Sequence, residues 1–208
     1  MKFKLSIFAL FVFAFFSIAI EGQVKAEKNP LTIIKTATTK MIEELNLSKK
    51  EILNDSRIVM GIVEEQLIPH FASNTIARKV LGKHVKKITA EQKKQFSEAF
   101  RFYMIRFYSK AFASYTNQTF EYLAAPNTVG KKRVMVKTKL VQSGGQPIPI
   151  DYKMQRSGDS WKIVDLKIEG ISMVISNRTQ FGNQISRDGI ETVIAKLEYK
   201  NQQAQSNE

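Results

Sequence analysis

The spacing of hydrophobic residues changes once along the chain, near Asn117. From Pro30 up to this point, apolar residues recur three or four positions apart, which is the period of an amphipathic α-helix. Proline, glycine and capping residues divide this half into five predicted helices. The first helix runs from Pro30 to about Leu45, and the capping-box pattern Ser48–Glu51 opens a short second helix. The third is capped by Asp55 and ends before Pro69, and the fourth is capped by Ser73 and ends at Leu81, before Gly82. A second capping box, at Thr89–Gln92, opens a long fifth helix.

The long helix is predicted to run to about Ser114, and it is aromatic on two sides. One side carries Phe96, Phe100, Tyr103, Met104 and Phe107, and the other carries Phe102, Ile105, Tyr108, Phe112 and Tyr115. A helix that is apolar most of the way round is normally buried between two layers. We therefore expect this helix to lie at the centre of the fold.

Beyond Asn117 the apolar residues alternate with polar ones, which is the period of a half-buried strand. Four candidate strands, separated by turn signals, cover residues 119–123, 133–141, 148–154 and 161–168. In the last of them the apolar set shifts from Trp161 and Ile163 to Val164, Leu166 and Ile168. This shift predicts a β-bulge near Asp165, or a strand that is buried on both faces.

Helical spacing returns at Ile171, and Asp188-Gly189 separates two C-terminal helices, the second predicted at Ile190–Lys200. The pattern predicts an α+β fold with a helical N-terminal half, an antiparallel sheet of about four strands, and C-terminal helices. Residues 27–200 are predicted to form one domain, because no Pro/Gly/Ser-rich linker divides them. The polar residues 201–208 are predicted to be a disordered tail.

The first 26 residues have the composition of an export signal. Met1–Lys4 is short and basic, and Leu5–Ile20 is an unbroken run of about 16 apolar or small residues, shorter than the ~20 of a membrane-spanning helix. The polar segment Glu21–Lys25 and the small residue Ala26 follow, so we predict cleavage after Ala26. An uncleaved N-terminal anchor is the alternative.

Charge and cysteine content narrow the class of protein further. Removing residues 1–26 takes away three lysines and one glutamate, which lowers the net charge from +13 to +11. A charge this positive is typical of proteins that bind nucleic acid, but the sequence contains no recognisable nucleic-acid-binding module. Export would also take the protein out of the compartment where such a partner is usual. An anionic membrane surface or an acidic protein fits better, and a solvated basic surface without a dedicated partner is the alternative. The absence of cysteine leaves the packed core to stabilise the fold without disulfides.

Candidate catalytic residues are few. His70 and His84 lie 14 residues apart, outside any metal-binding spacing, and are interpreted as surface or capping histidines. No G-x-S-x-G elbow, P-loop or G-x-G-x-x-G motif occurs. Asp165 and Glu169 could form a general acid and base pair. The alternative is a structural role, in which Asp165 bonds to the backbone or a basic residue and Glu169 lies near a helix N-terminus.

Two segments carry a family resemblance. IARKVLGKHVKKITAEQKKQFSEAFRFYMIRFYSKAFASY, residues 76–115, and WKIVDLKIEGISMVISNRTQFGNQISRDGIETVIAKL, residues 161–197, resemble the MlaC or toluene-tolerance family of periplasmic phospholipid-binding proteins. The chain departs from the family pattern at Val85, where an aromatic residue is common, and at Ala72, where an Asp is frequent.

The resemblance implies a non-enzymatic periplasmic carrier that shuttles a phospholipid between the outer membrane and an inner-membrane ABC transporter, maintaining outer-membrane lipid asymmetry. The implied partners are that transporter with its MCE-domain subunit, an outer-membrane lipoprotein–porin complex and, transiently, the membrane surface. No nucleic acid and no cofactor are expected beyond the lipid cargo, which would occupy a deep hydrophobic pocket. The alternatives are an exported enzyme that acts on a lipid-like substrate through Asp165 and Glu169, and an envelope interaction protein that carries no ligand.

The pocket wall is predicted between the sheet and the helices, while Asp165, Glu169 and Arg178 are predicted to hold the corner between sheet and helix. The predicted lipid-binding residues are Phe100, Met104, Phe107, Val136, Ile150, Tyr152, Trp161, Ile163, Met173 and Val174.

Overall fold

The structure, a computed structural model, describes residues 29–113, 117–142 and 144–206. The predicted leader, residues 1–26, lies outside the described residues. The helices are α1 (Pro30–Leu47), α2 (Lys49–Asn54), α3 (Arg57–Gln66), α4 (Ser73–Leu81), α5 (Ala90–Ala113), α6 (Met173–Asp188) and α7 (Ile190–Ser206). The strands are β1 (Thr119–Tyr122), β2 (Arg133–Val141), β3 (Ile148–Ser157), β4 (Ser160–Ile168) and β5 (Ile171–Ser172).

The predicted α+β architecture is confirmed. The strands form one antiparallel sheet in the order β1-β2-β3-β4-β5, and the helices precede and follow it in the chain. The sheet has five strands rather than about four, because Ile171 and Ser172 pair with Ile168 and Lys167 before α6 begins. This two-residue strand is too short to produce an alternating pattern.

The β-bulge predicted near Asp165 is present in β4. Ile163 pairs with Met154 and Asp165 pairs with Lys153, so Val164 is the extra residue. Both Ile163 and Val164 are buried, which explains the shift in the apolar pattern.

The outer edge of β4 is covered rather than open. The amide of Ala72 donates to the Ile163 carbonyl at 2.9 Å, and Lys79 Nζ donates to the Val164 carbonyl at 3.2 Å. Burial lowers the pKa of Lys79, and repulsion from Lys153 and Arg133 lowers it further. These contacts bring the segment before α4, and α4 itself, against the strand.

The long helix α5 lies at the centre of the helical layer, as its two aromatic sides predict. Residues on both sides are buried, and α5 packs against α3, α4 and α7. Its capping box forms in both directions: the Gln92 amide donates to Thr89 Oγ1 at 3.1 Å, and the Thr89 amide donates to Gln92 Oε1 at 2.9 Å.

The other predicted N-caps are only partly confirmed. Ser48 occupies the N-cap position of α2 but makes no side-chain capping bond, and Ser73 is the first residue of α4, after Ala72 at the N-cap position. The N-cap position of α3 is Ser56 rather than the predicted Asp55, although Asp55 accepts a hydrogen bond from the amide of Arg57 at 2.9 Å.

The prediction of a disordered tail from residue 201 is wrong for residues 201–206. Helix α7 continues to Ser206, and the Asn201 side chain is buried, with its Nδ2 donating to the Ala99 carbonyl at 2.9 Å. This tertiary contact holds a polar segment in the helix despite its composition. Residues 207 and 208 lie outside the described part of the chain.

In the described part of the chain, each helix is too short or too polar to cross a bilayer.

Candidate functional site

A narrow apolar cleft lies between α5, the C-terminal half of β4 and the first turns of α6. Its volume is about 20 Å³, which is room for about one water molecule. The side chains that line it are Phe71, Ile76, Phe100, Tyr103, Met104, Phe107, Tyr108, Asp165, Leu166, Met173, Val174 and Asn177. The cleft therefore separates the helical layer from the sheet-to-helix corner, with its walls nearly in contact.

Aromatic rings form a continuous array along the α5 wall. Successive ring centroids lie 5.7 Å apart for Phe96 and Phe100, 5.3 Å for Phe100 and Tyr103, and 6.1 Å for Tyr103 and Phe107. Phe181 of α6 contacts Phe96, Phe100 and Tyr103 edge-on, at 5.9, 5.7 and 5.3 Å. This edge-to-face packing stabilises α6 against α5 beside the cleft.

The solvent side of the cleft, which we call the mouth, is formed by the partly exposed residues Tyr103, Phe107, Met173 and Asn177. The Tyr103 hydroxyl donates to Asn177 Oδ1 at 3.0 Å, joining α5 to α6 across the mouth. Asn177 Nδ2 donates to the Met173 carbonyl at 2.8 Å, which fixes the orientation of the amide. Burial raises the pKa of Tyr103, so this hydroxyl stays protonated at neutral pH.

The corner between β4 and α6 is organised by Asp165. Its Oδ2 accepts from Ser172 Oγ at 2.7 Å, and its Oδ1 accepts from the Val174 amide at 3.1 Å. Ser172 is the N-cap of α6, and its Oγ accepts from the Ile175 amide at 3.1 Å. The carboxylate thus satisfies the first turn of α6, where negative charge is favourable.

Glu169 and Arg178 act at the same corner in different ways. Glu169 lies in the β4–β5 turn with a φ of 51°, its side chain is exposed, and its amide donates to the Pro149 carbonyl at 2.9 Å. Arg178 Nε donates to the Lys79 carbonyl at 2.6 Å, linking α6 to α4. Direct contacts therefore support the interpretation that Asp165 and Arg178 hold the corner between the sheet and the helices.

One of the two histidines, His84, contacts α6. His84 is buried rather than at the surface, with its Nε2 3.4 Å from Ser186 Oγ. Among residues 29–113, 117–142 and 144–206, no three acidic or histidine side chains come together as a metal site would require.

The cleft brings together five of the ten predicted lipid-binding residues: Phe100, Met104, Phe107, Met173 and Val174. The other five lie on the inner face of the sheet, behind the cleft, where Val136, Tyr152, Trp161 and Ile163 are buried and Ile150 is partly buried. The role of all ten in binding lipid stays a prediction.

Sequence reasoning missed several residues of the cleft. Tyr103 and Tyr108 belong to the aromatic sides of α5 and could have been chosen from that pattern. Asn177 gave no signal, because a polar residue in an amphipathic helix is normally solvated. Phe71 is brought there by a single bridge between its backbone and Ile163, far along the chain.

The family model and the relatives that match this chain point to the same family. The family model described as MlaC protein matches residues 35–199, most of the chain. A Haemophilus influenzae protein named intermembrane phospholipid transport system binding protein MlaC is 23% identical over 194 residues, 92% of this chain and 91% of its own length. The Pseudomonas putida toluene tolerance protein ttg2D is 26% identical over 165 residues, covering 79% of this chain and 76% of that protein.

A solved structure shares the fold. The phospholipid-binding protein from Ralstonia solanacearum, determined in complex with a phospholipid, superposes with a TM-score of 0.75 at 23% sequence identity. The superposition covers 86% of this chain and 99% of the Ralstonia chain.

Proposed function

The chain belongs to the MlaC family, and on this premise we propose that it is a periplasmic carrier that binds one phospholipid and moves it between membranes. The names of the Haemophilus and Ralstonia proteins support phospholipid as the cargo. The observation that carries the proposal is the aromatic-lined cleft between α5, β4 and α6, in a chain with the fold of a phospholipid-binding protein.

The route we propose runs between the outer membrane and an inner-membrane ABC transporter with its MCE-domain subunit. A lipoprotein–porin complex would be the partner at the outer membrane, and the carrier would help to maintain outer-membrane lipid asymmetry. The predicted export signal at residues 1–26 supports a periplasmic location. The Haemophilus relative supports a transport system, since its name describes it as that system's binding protein.

Energetics explain why such a carrier must enclose its cargo. Burying one methylene contributes ~0.8 kcal/mol, so two acyl chains with roughly thirty methylenes together prefer an apolar site by about 20 kcal/mol. An open groove would lose much of this stabilisation. Release into water is then negligible, so delivery requires docking onto a partner that offers the chains another apolar environment.

Loading requires the cleft to widen, because its volume of about 20 Å³ is far below that of an acyl chain. We propose that α5 moves away from the β4–α6 corner, and that the Tyr103–Asn177 hydrogen bond breaks as it does so. The predicted wall residues on the sheet would then face the acyl chains, behind Leu166 and Val174. These residues are Val136, Ile150, Tyr152, Trp161 and Ile163.

A tryptophan at the mouth tests the site. Met173→Trp adds bulk where Met173 is half-buried, and overpacking of ~1–3 kcal/mol should weaken the affinity for lipid by roughly fivefold to a hundredfold. The variant should then lose lipid when it competes with the control for a limiting amount of phospholipid. The control is Leu53→Trp on α2, where Leu53 is 84% exposed. Phospholipid per chain is measured by mass spectrometry after purification without detergent, and thermal unfolding checks that both variants fold. Equal occupancy in the two folded variants would exclude the mouth from the binding site.

A further inference from the structure

A second hollow, larger and more polar than the cleft, lies among α3, α5 and α7. Its volume is about 660 Å³. Three basic residues line it, Arg106 and Lys110 from α5 and Lys200 from α7, together with Ser56, Met60 and Gln203. We refer to it as the basic hollow. None of its lining residues that the structure describes is acidic.

The three cations of the basic hollow have no carboxylate partner in the described residues. Ion pairs there join Arg57 to Asp55, Arg101 to Glu64, and both Arg187 and Lys196 to Asp188. Asp55, next to Ser56 in the chain, is already occupied: Arg57 donates to it through Nε at 2.8 Å and Nη2 at 2.6 Å. The positive charge of the hollow is therefore not neutralised from within this part of the protein.

Arg106 joins the basic hollow to the cleft. It is half-buried, and its guanidinium carbon lies 5.8 Å from the ring centroid of Tyr103, which lines the cleft and closes the mouth. Burial without a carboxylate partner is costly for a guanidinium and lowers the pKa of Arg106. An anion in the hollow would offset this cost.

We propose that the basic hollow binds a phosphate group, and that Arg106, Lys110 and Lys200 are its ligands. A guanidinium fork with two flexible ammonium groups suits the several oxygens of a phosphate, and a hydroxyl and an amide, Ser56 and Gln203, are available beside them. The phosphate is assigned to the headgroup of the lipid whose chains enter the adjacent cleft. This assignment rests on the proposed function; free phosphate is the other source of the same chemistry.

The test compares two lipids that differ by a single phosphate. Phosphatidic acid and diacylglycerol with identical acyl chains are offered separately from the same nonionic detergent micelles, and bound lipid is measured by mass spectrometry after gel filtration. Arg106→Gln/Lys110→Gln/Lys200→Gln removes three charges from the hollow. Lys49→Gln/Lys86→Gln/Lys94→Gln is the matched control, because it removes three charges at exposed positions elsewhere. Binding of inorganic phosphate at constant ionic strength is measured on all three proteins by calorimetry.

We expect the wild type and the control to prefer phosphatidic acid to diacylglycerol, and the hollow variant to lose that preference by about tenfold or more, because charge-assisted hydrogen bonds are lost. Loss of inorganic phosphate binding with unchanged lipid preference would support the phosphate site and assign it to the free ion. If the hollow variant matches the control in both measurements, the proposal is overturned. If the wild type binds neither lipid, the carrier function fails, and phosphate calorimetry alone then decides whether the hollow binds phosphate.

Discussion

Tyr103 is the residue on which the cleft, the aromatic array and the basic hollow converge. Its hydroxyl bonds to Asn177 across the mouth, its ring contacts Phe181 edge-on at 5.3 Å, and Arg106 lies 5.8 Å from its centroid. The hydroxyl makes the polar link between α5 and α6 at the mouth, whereas the ring provides packing. Removing the hydroxyl alone should therefore loosen the mouth while leaving the wall in place.

Tyr103→Phe is expected to speed lipid release. Losing one neutral hydrogen bond that must break on opening lowers the cost of opening by about 1 kcal/mol, which corresponds to about a fivefold faster rate. The rate is measured as transfer of a labelled phospholipid to acceptor vesicles. The control is Tyr199→Phe, whose hydroxyl accepts from Gln203 within α7 at 2.7 Å. Equal rates for the two variants would show that the hydrogen bond does not restrain opening.

Asp165 is predicted to stabilise the fold through two hydrogen bonds at the start of α6. Asp165→Asn replaces one acceptor oxygen by a donor, so the free energy of unfolding should fall by about 1–3 kcal/mol. Glu169→Gln is the comparison, since its exposed side chain should change stability by no more than ~0.5 kcal/mol. Urea denaturation measures both variants. If Asp165→Asn is as stable as the wild type, Asp165 does not have this structural role, and the alternative in which it acts as a general acid or base is favoured.

At the scale of the elements, two glycines of the helical layer should respond in opposite directions to alanine. Gly61 lies within α3 with open space around it, so Gly61→Ala should stabilise the protein by about 0.5–1 kcal/mol. Gly82 follows α4 with a φ of +53°, and an added Cβ would lie 3.2 Å from Arg178 Cδ. Gly82→Ala should therefore destabilise it by roughly 1–3 kcal/mol. Thermal and urea unfolding measure both; a stabilising Gly82→Ala would contradict the close packing of α4 and α6.

The sequence predicts elements well where local interactions decide them. The capping box at Thr89–Gln92 forms because both of its hydrogen bonds join residues only three positions apart. Ser48 makes no side-chain capping bond at the start of α2 because it is also the C-cap of α1. Its amide donates to the Glu44 carbonyl, and its backbone lies outside the extended region. Ser73 is the first residue of α4 rather than its N-cap, because the segment before it is held on β4 by the hydrogen bond from the Ala72 amide to the Ile163 carbonyl.

The cleft was only partly predictable, for a physical reason. Periodicity identifies the apolar face of a helix or strand but not the element that packs against it. The α5 and α6 residues Phe100, Met104, Phe107, Met173 and Val174 come from such faces and meet at the cleft. The sheet residues Val136, Tyr152, Trp161 and Ile163 have equally strong patterns, but in this structure other core residues cover them.

At the scale of the whole molecule, a basic surface surrounds an apolar interior with a narrow opening. The net charge of +13 for the full chain favours association with anionic surfaces. Helix α5 contributes residues to the cleft walls, the mouth and the basic hollow. A displacement of this helix would therefore change the contacts of the lipid's acyl chains and of its headgroup at the same time. This arrangement suits a carrier that holds its lipid tightly in transit and opens on a partner.

The central claim is that the folded protein carries phospholipid, and mass spectrometry of the exported protein tests it most directly. Residues 27–208 are produced with an export signal, purified without detergent, and measured intact and after solvent extraction. The carrier function predicts one phospholipid per chain that survives dilution, because release of roughly thirty methylenes into water costs about 20 kcal/mol. A protein that is reproducibly empty under these conditions would contradict it.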